Sequence, residues 1–205
     1  MKHSFVCSFT PPRKKSAACA GVLLMGVAPR MAGGGTSKKS TEMTNIIPAM
    51  SSNSQNGYKV SMKSLSGNDA SAGAAWYMFN HNYRVYNWTE NGYNENICHF
   101  GSGKDGQIDI ELPEPTAVHA VFVIGPNYSS YGVNGPTSAE LYFSNDGTNF
   151  TKVDDAVNIR KNSYAQLPML GDQINICLNP SKHKYYRIVV HRADEYVGVN
   201  AVILF

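Results

Sequence analysis

The sequence predicts an all-β protein, a sandwich or barrel of short strands, and three observations carry the prediction. Residues 136–153 read as two strands joined by a tight turn: Ala139, Leu141 and Phe143 alternate with Glu140 and Tyr142, Asn145-Asp146-Gly147 supplies the turn, and Phe150 and Val153 resume beyond it. Gly106 to Leu112 alternates without a fault, with Ile108, Ile110 and Leu112 on one face. From Met43 onward, turn residues interrupt the chain at intervals of roughly 8 to 12 positions, whereas no heptad, long amphipathic helix or internal repeat occurs.

The elements follow in order. Residues 1–41 differ from the rest, with a basic stretch at 11–15, an apolar run from Ala17 to Ala28 and a Gly/Ser linker at 33–40. The run is the length of a signal-peptide core and too short for a stable transmembrane anchor, so the segment reads as an export signal or as an uncleaved arm docking onto a larger assembly. Residues 42–205 form the domain. Tyr58 to Met62 alternates as a strand, Ala70 to Phe79 predicts a short helical turn burying Ala75, Met78 and Phe79, and 80–96 is a polar, aromatic connector. Pro113 to Thr116 is expected to turn the chain into a central apolar strand, Ala117 to Ile124, and Gly125 to Pro136 is a second long connector. Further strands are expected at Ile174 to Leu178, Tyr185 to His191 and Val199 to Phe205.

Composition narrows the function classes. Twelve tyrosines with only 16% charged residues suit an extracellular or surface-displayed β domain. Residues 1–40 hold seven cations and no acid against a net charge of +3 for the whole chain, which leaves four net negative charges on the remainder. The domain therefore carries no nucleic-acid footprint. The four cysteines match no zinc spacing; Cys98 and Cys177 are either a disulfide or two buried thiols. The histidines are dispersed, Asp154-Asp155 and Asp194-Glu195 lie in expected turns, and no Gly-x-Ser-x-Gly elbow exists, so an enzyme is not indicated.

Three pieces resemble the discoidin family, the type C domain of coagulation factors with its relatives among bacterial carbohydrate-binding modules and phage or viral tail proteins. They are Ala-Ala-Trp-Tyr-Met-Phe-Asn-His-Asn (74–82), Gly-Gln-Ile-Asp-Ile-Glu-Leu-Pro-Glu-Pro-Thr-Ala-Val (106–118) and Leu-Tyr-Phe-Ser-Asn-Asp-Gly-Thr-Asn-Phe-Thr-Lys-Val (141–153). Tyr-Tyr-Arg-Ile-Val-Val (185–190) and Val-Asn-Ala-Val-Ile-Leu-Phe (199–205) fit the family's last two strands, and the resemblance runs from about residue 45 to the C-terminus. It implies a β-sandwich jelly roll, discoidin-like, with an extended N-terminal arm, whose loops at one end bind a glycan or, in some relatives, lipid headgroups or protein. The family's structural calcium uses an Asp, a Thr and a Glu carbonyl where this chain has Asn80, Val85 and Ala201. With Asn82 nearby the position is degenerate, and no metal or other cofactor is expected.

A glycan site needs aromatic faces beside planar amides, Arg or His. The candidates are Tyr86, Asn87, Trp88 and Tyr93 in the first connector, Asn127, Tyr128 and Tyr131 in the second, and His191, Arg192 and Tyr196 near the end. The expected function is a non-catalytic carbohydrate-binding or adhesion module outside a cell or on a particle. The alternative is a structural virion or tail component, anchored by residues 1–41 and contacting neighbouring subunits.

Overall fold

The computed structural model describes residues 44–65, 73–82, 98–126, 133–153, 173–178, 180–192 and 196–205. In chain order these form β1 (Ser54–Gln55), β2 (Tyr58–Ser64), a 3-10 helix (Ala75–Phe79), β3 (Cys98–His99), β4 (Gly106–Ala117), β5 (Ala120–Ile124) and β6 (Val133–Asn134). There follow β7 (Ser138–Ser144), β8 (Thr151–Lys152), β9 (Gln173–Cys177), β10 (Lys182–His191), β11 (Tyr196–Val199) and β12 (Ala201–Leu204). No described helix is long and apolar enough to cross a membrane.

Three sheets result: six strands in the order β1-β2-β4-β10-β7-β8, three as β12-β5-β9, and three as β3-β11-β6. The period of two sets the register. Val60 and Tyr186 lie opposite Ile110, Met62 and Ile188 opposite Ile108, and Leu141 opposite Ile188. Ile108, Ile110, Leu141, Ile188 and Val190 join one core with Val121, Val123, Val202 and Leu204 of the facing sheet, and Phe143 packs at its margin. The two sheets thus share one interior, as a sandwich requires. β5 lies between β12 and β9 and is buried on both faces, its outer side covered where Phe122 meets Phe205 edge-on at 5.1 Å.

The short helix buries Ala75, Met78 and Phe79 as the sequence predicts. Two expectations change. Pro113 to Thr116 does not end its strand: β4 continues to Ala117, and the pairing with β10 slips between His183 and Tyr185. The prolines sit in that irregularity, where no ladder donor is required of them, and the Tyr186 hydroxyl closes it by donating to the Thr116 carbonyl at 2.8 Å. The closing strand is interrupted at Asn200, whose amide donates to the Ile124 carbonyl at 2.7 Å. Cys98 is a free thiol, wholly buried, with its Sγ donating to the Ala74 carbonyl at 3.2 Å, one of the two states that the sequence left open for it. Burial pushes that thiol up to about 12, against a smaller opposing hydrogen bond from the Met78 backbone.

Candidate functional site at one end of the sandwich

The stems of three connectors meet at one end. β11 pairs antiparallel with β3, Val199 opposite Cys98, and parallel with β6, Tyr196 opposite Val133. The residues that follow the connectors 83–97, 127–132 and 193–195 therefore lie side by side in one small sheet. Gly125 and Gly135 hold the second connector's stems together. A Cβ on Gly125 would stand 2.5 Å from the Gly135 Cα and 2.9 Å from the Pro136 Cδ, so only glycine permits this approach. One step further, the Thr137 amide donates to the His191 carbonyl at 2.9 Å, which ties the same stems to the end of β10.

Asp105 fixes the third connector. Its Oδ1 accepts the Arg192 amide at 3.0 Å and its Oδ2 accepts the His191 Nδ1 at 2.9 Å. Burial alone would raise this carboxyl, but the Arg192 amide, the His191 ring and the charges of both outweigh it and hold the group below the ordinary carboxylate range. His191 Nε2 also lies 3.9 Å from Glu140 Oε1. Glu140 is held low first by Lys152, at 2.6 Å, and then by the Tyr142 hydroxyl.

Among the described residues, two polar groups at this end have buried atoms without a hydrogen-bond partner. They are His99 Nδ1 and the amide of Asn200, with both Oδ1 and Nδ2 unsatisfied on a residue only 1% exposed. Tyr196 meets the His99 ring edge-on at 5.6 Å, and burial lowers the His99 pKa, outweighing a backbone hydrogen bond to Phe100. A buried amide left unpaired costs about 1–3 kcal/mol, so these orphans mark a place where something other than stability sets the residue type.

Of the sequence-derived candidates, the structure brings His191, Arg192 and Tyr196 to this end: His191 half-buried, Arg192 exposed, Tyr196 half-buried. Tyr86, Asn87, Trp88, Tyr93, Asn127, Tyr128 and Tyr131 lie outside the described residues. Sequence reasoning missed Asp105, His99 and Asn200. Only His99 left a local signal, as a polar residue between the buried Cys98 and Phe100.

At the degenerate calcium position, Asn80 Oδ1 accepts the Asn82 amide at 2.7 Å, neither residue brings a carboxylate, and Val85 lies outside the described residues. Calcium takes six or more oxygens, chiefly carboxylates, and no cluster of three His, Cys, Asp or Glu that could hold a metal occurs among the described residues.

Solved structures resemble this chain over most of its length. The family 32 carbohydrate-binding module of Streptococcus pneumoniae EndoD is 13% identical, with 79% of this chain and 99% of that one covered at a TM-score of 0.51. CpGH89CBM32-5 from Clostridium perfringens, in complex with GalNAc-β-1,3-galactose, is 15% identical, with 73% and 95% covered at 0.47. The family 32 module of C. perfringens NanJ, in complex with galactose, is 10% identical, with 72% and 93% covered at 0.46. No family model and no curated protein matches the chain. The pneumococcal likeness shows the fold alone: this chain is an all-β sandwich of the same fold as that module.

Proposed function

We propose that the domain is a non-catalytic carbohydrate-binding module that takes its ligand at the connector end of the sandwich. The observation that carries this reading is the gathering of three connector stems into the β3-β11-β6 sheet, beside the unsatisfied His99 Nδ1 and Asn200 side-chain amide. Tyr86-Asn87-Trp88 and Asn127-Tyr128, in the sequences of these connectors, are residue types that offer a sugar aromatic faces and amides. Likeness in fold to a family 32 module supports the class of ligand. In this reading residues 42–205 are the binding domain, residues 1–41 an export signal or tether, and the protein works outside the cell or on a particle surface. Single-site affinity is weak, and multivalent display compensates.

The test is a broad glycan array probed with the whole chain, with and without chelator. Binding is expected to survive chelation and to fall at least tenfold with Trp88→Ala or Tyr128→Ala, a change of about 1.4 kcal/mol. Silence across the array overturns the reading.

A further inference from the structure

A second concavity lies on the outer face of the six-stranded sheet, away from the connector end. Its volume is about 360 Å3, and its floor comes from β2, β4 and β10, with Gly147 and Phe150 of the β7–β8 turn on its lining. Alternation builds the floor: Ile108 and Ile110 point into the core while Asp109 and Glu111 point out. Glu111 lies five residues along β4 from Gly106, which separates it from the connector end by about 16 Å.

The lining is rigid and electrically balanced. Arg187 donates to Asp109 through Nε at 2.6 Å and Nη2 at 3.2 Å, and Gln107 Nε2 reaches the same carboxylate at 2.7 Å. Glu111 accepts Lys59 at 3.1 Å and Lys184 at 3.0 Å. The Phe150 ring lies 3.8 Å from the Arg187 guanidinium, locking its plane. Gly147, at φ +74°, lies so near Tyr185 that a Cβ would stand 3.2 Å from the ring. The turn that places Phe150 and Gly147 is itself fixed by Asp146, which accepts the Thr148 and Asn149 amides at 2.8 Å each.

Each carboxylate and each cation of this lining is paired, so no uncompensated charge is left to hold an ion. What remains is two half-buried aromatic rings, Phe150 and Tyr185, beside fixed planar donors and acceptors. That combination matches a neutral ring with an apolar C–H face and equatorial hydroxyls. We propose that this groove is a second ligand site, and that its occupant is a neutral sugar ring stacked on Tyr185 or Phe150 with its hydroxyls on the Arg187–Asp109 pair and Glu111. The argument is independent of the connector end.

The experiment is a residue-resolved amide titration of the full chain with lactose, cellobiose, maltose and diacetylchitobiose. With at least one of them, saturable shifts are expected at Ser61, Asp109, Glu111, Gly147 and Arg187, weakened roughly tenfold by Tyr185→Ala and by Phe150→Leu, which keeps an apolar side chain while removing the ring. The proposal is overturned if none of the four sugars shifts these amides, or if the shifts persist in both variants with the fold intact. Amides at His99 and Tyr196 report the connector end separately, so failure of one site is distinguishable from failure of the other.

Discussion

The connector end and the outer sheet face both display polar side chains, and they handle them in opposite ways. On the sheet face Asp109, Glu111 and Glu140 are each matched to cations at hydrogen-bond distance. At the connector end, Asp105 is matched while the buried Asn200 and the half-buried His99 hold unsatisfied polar atoms. Surface ion pairs add little stability, about 0–1 kcal/mol each, and mainly fix geometry. Buried polar atoms without a partner subtract stability unless water or another group completes the bonding. The difference teaches that a preorganised but closed polar face and an incompletely bonded one answer to different constraints within one sandwich.

Four substitutions break or sharpen that contrast. The largest effect is expected from Ile188→Ala, beneath both regions: the residue is fully buried, and its truncation costs about 2–5 kcal/mol by denaturant unfolding, with both regions lost together. Gly125→Ala comes next, because the added Cβ meets backbone at 2.5 Å; about 1–3 kcal/mol is lost, with shifted amides at Gly135 and Gly198 while Asp109 and Arg187 stay in place. Asn200→Leu replaces an unsatisfied amide by an apolar group of similar size. It should leave stability unchanged or raise it by about 1 kcal/mol while weakening glycan binding, the two readouts moving in opposite directions.

The smallest effect concerns acid. Because the folded-state pKa of Asp105 is depressed, its contribution is present above the ordinary Asp value of about 3.9 and fades as pH falls through the lower folded value. Asp105→Asn keeps an oxygen acceptor for the Arg192 amide but removes the charge, and is expected to flatten the acid limb of stability below about pH 4, measured by thermal melts. A wild-type acid limb in the variant contradicts this assignment.

The legible part of this fold was the part with period. β4 alternates over Ile108–Leu112, β7 over Ser138–Tyr142 and β10 over Tyr185–Ile188, so their faces could be read directly. β1, β3 and β6 are two residues long and have no period to read. Asn56-Gly57, both at positive φ, was the overlooked sign of the β1–β2 turn. Pro113 and Pro115 suggested a strand end because a ladder rejects proline, yet the slipped register removes that objection. At the candidate site, His191, Arg192 and Tyr196 were named from residue type and position, and the register brings them to the connector end. Asp105 was not, because its partner His191 is 86 residues away and only the sheet register brings them together. Asn200 looked like one more residue of an apolar strand and its unsatisfied amide is a property of packing alone.

The most direct test of the connector end as a recognition surface is a crystal structure of the chain with the tightest glycan from the array. The account predicts sugar density against the stems around Gly125, His99 and Tyr196, with a partner supplied to the Asn200 or His99 side chain. Sugar bound only elsewhere, with that end unchanged, would contradict it.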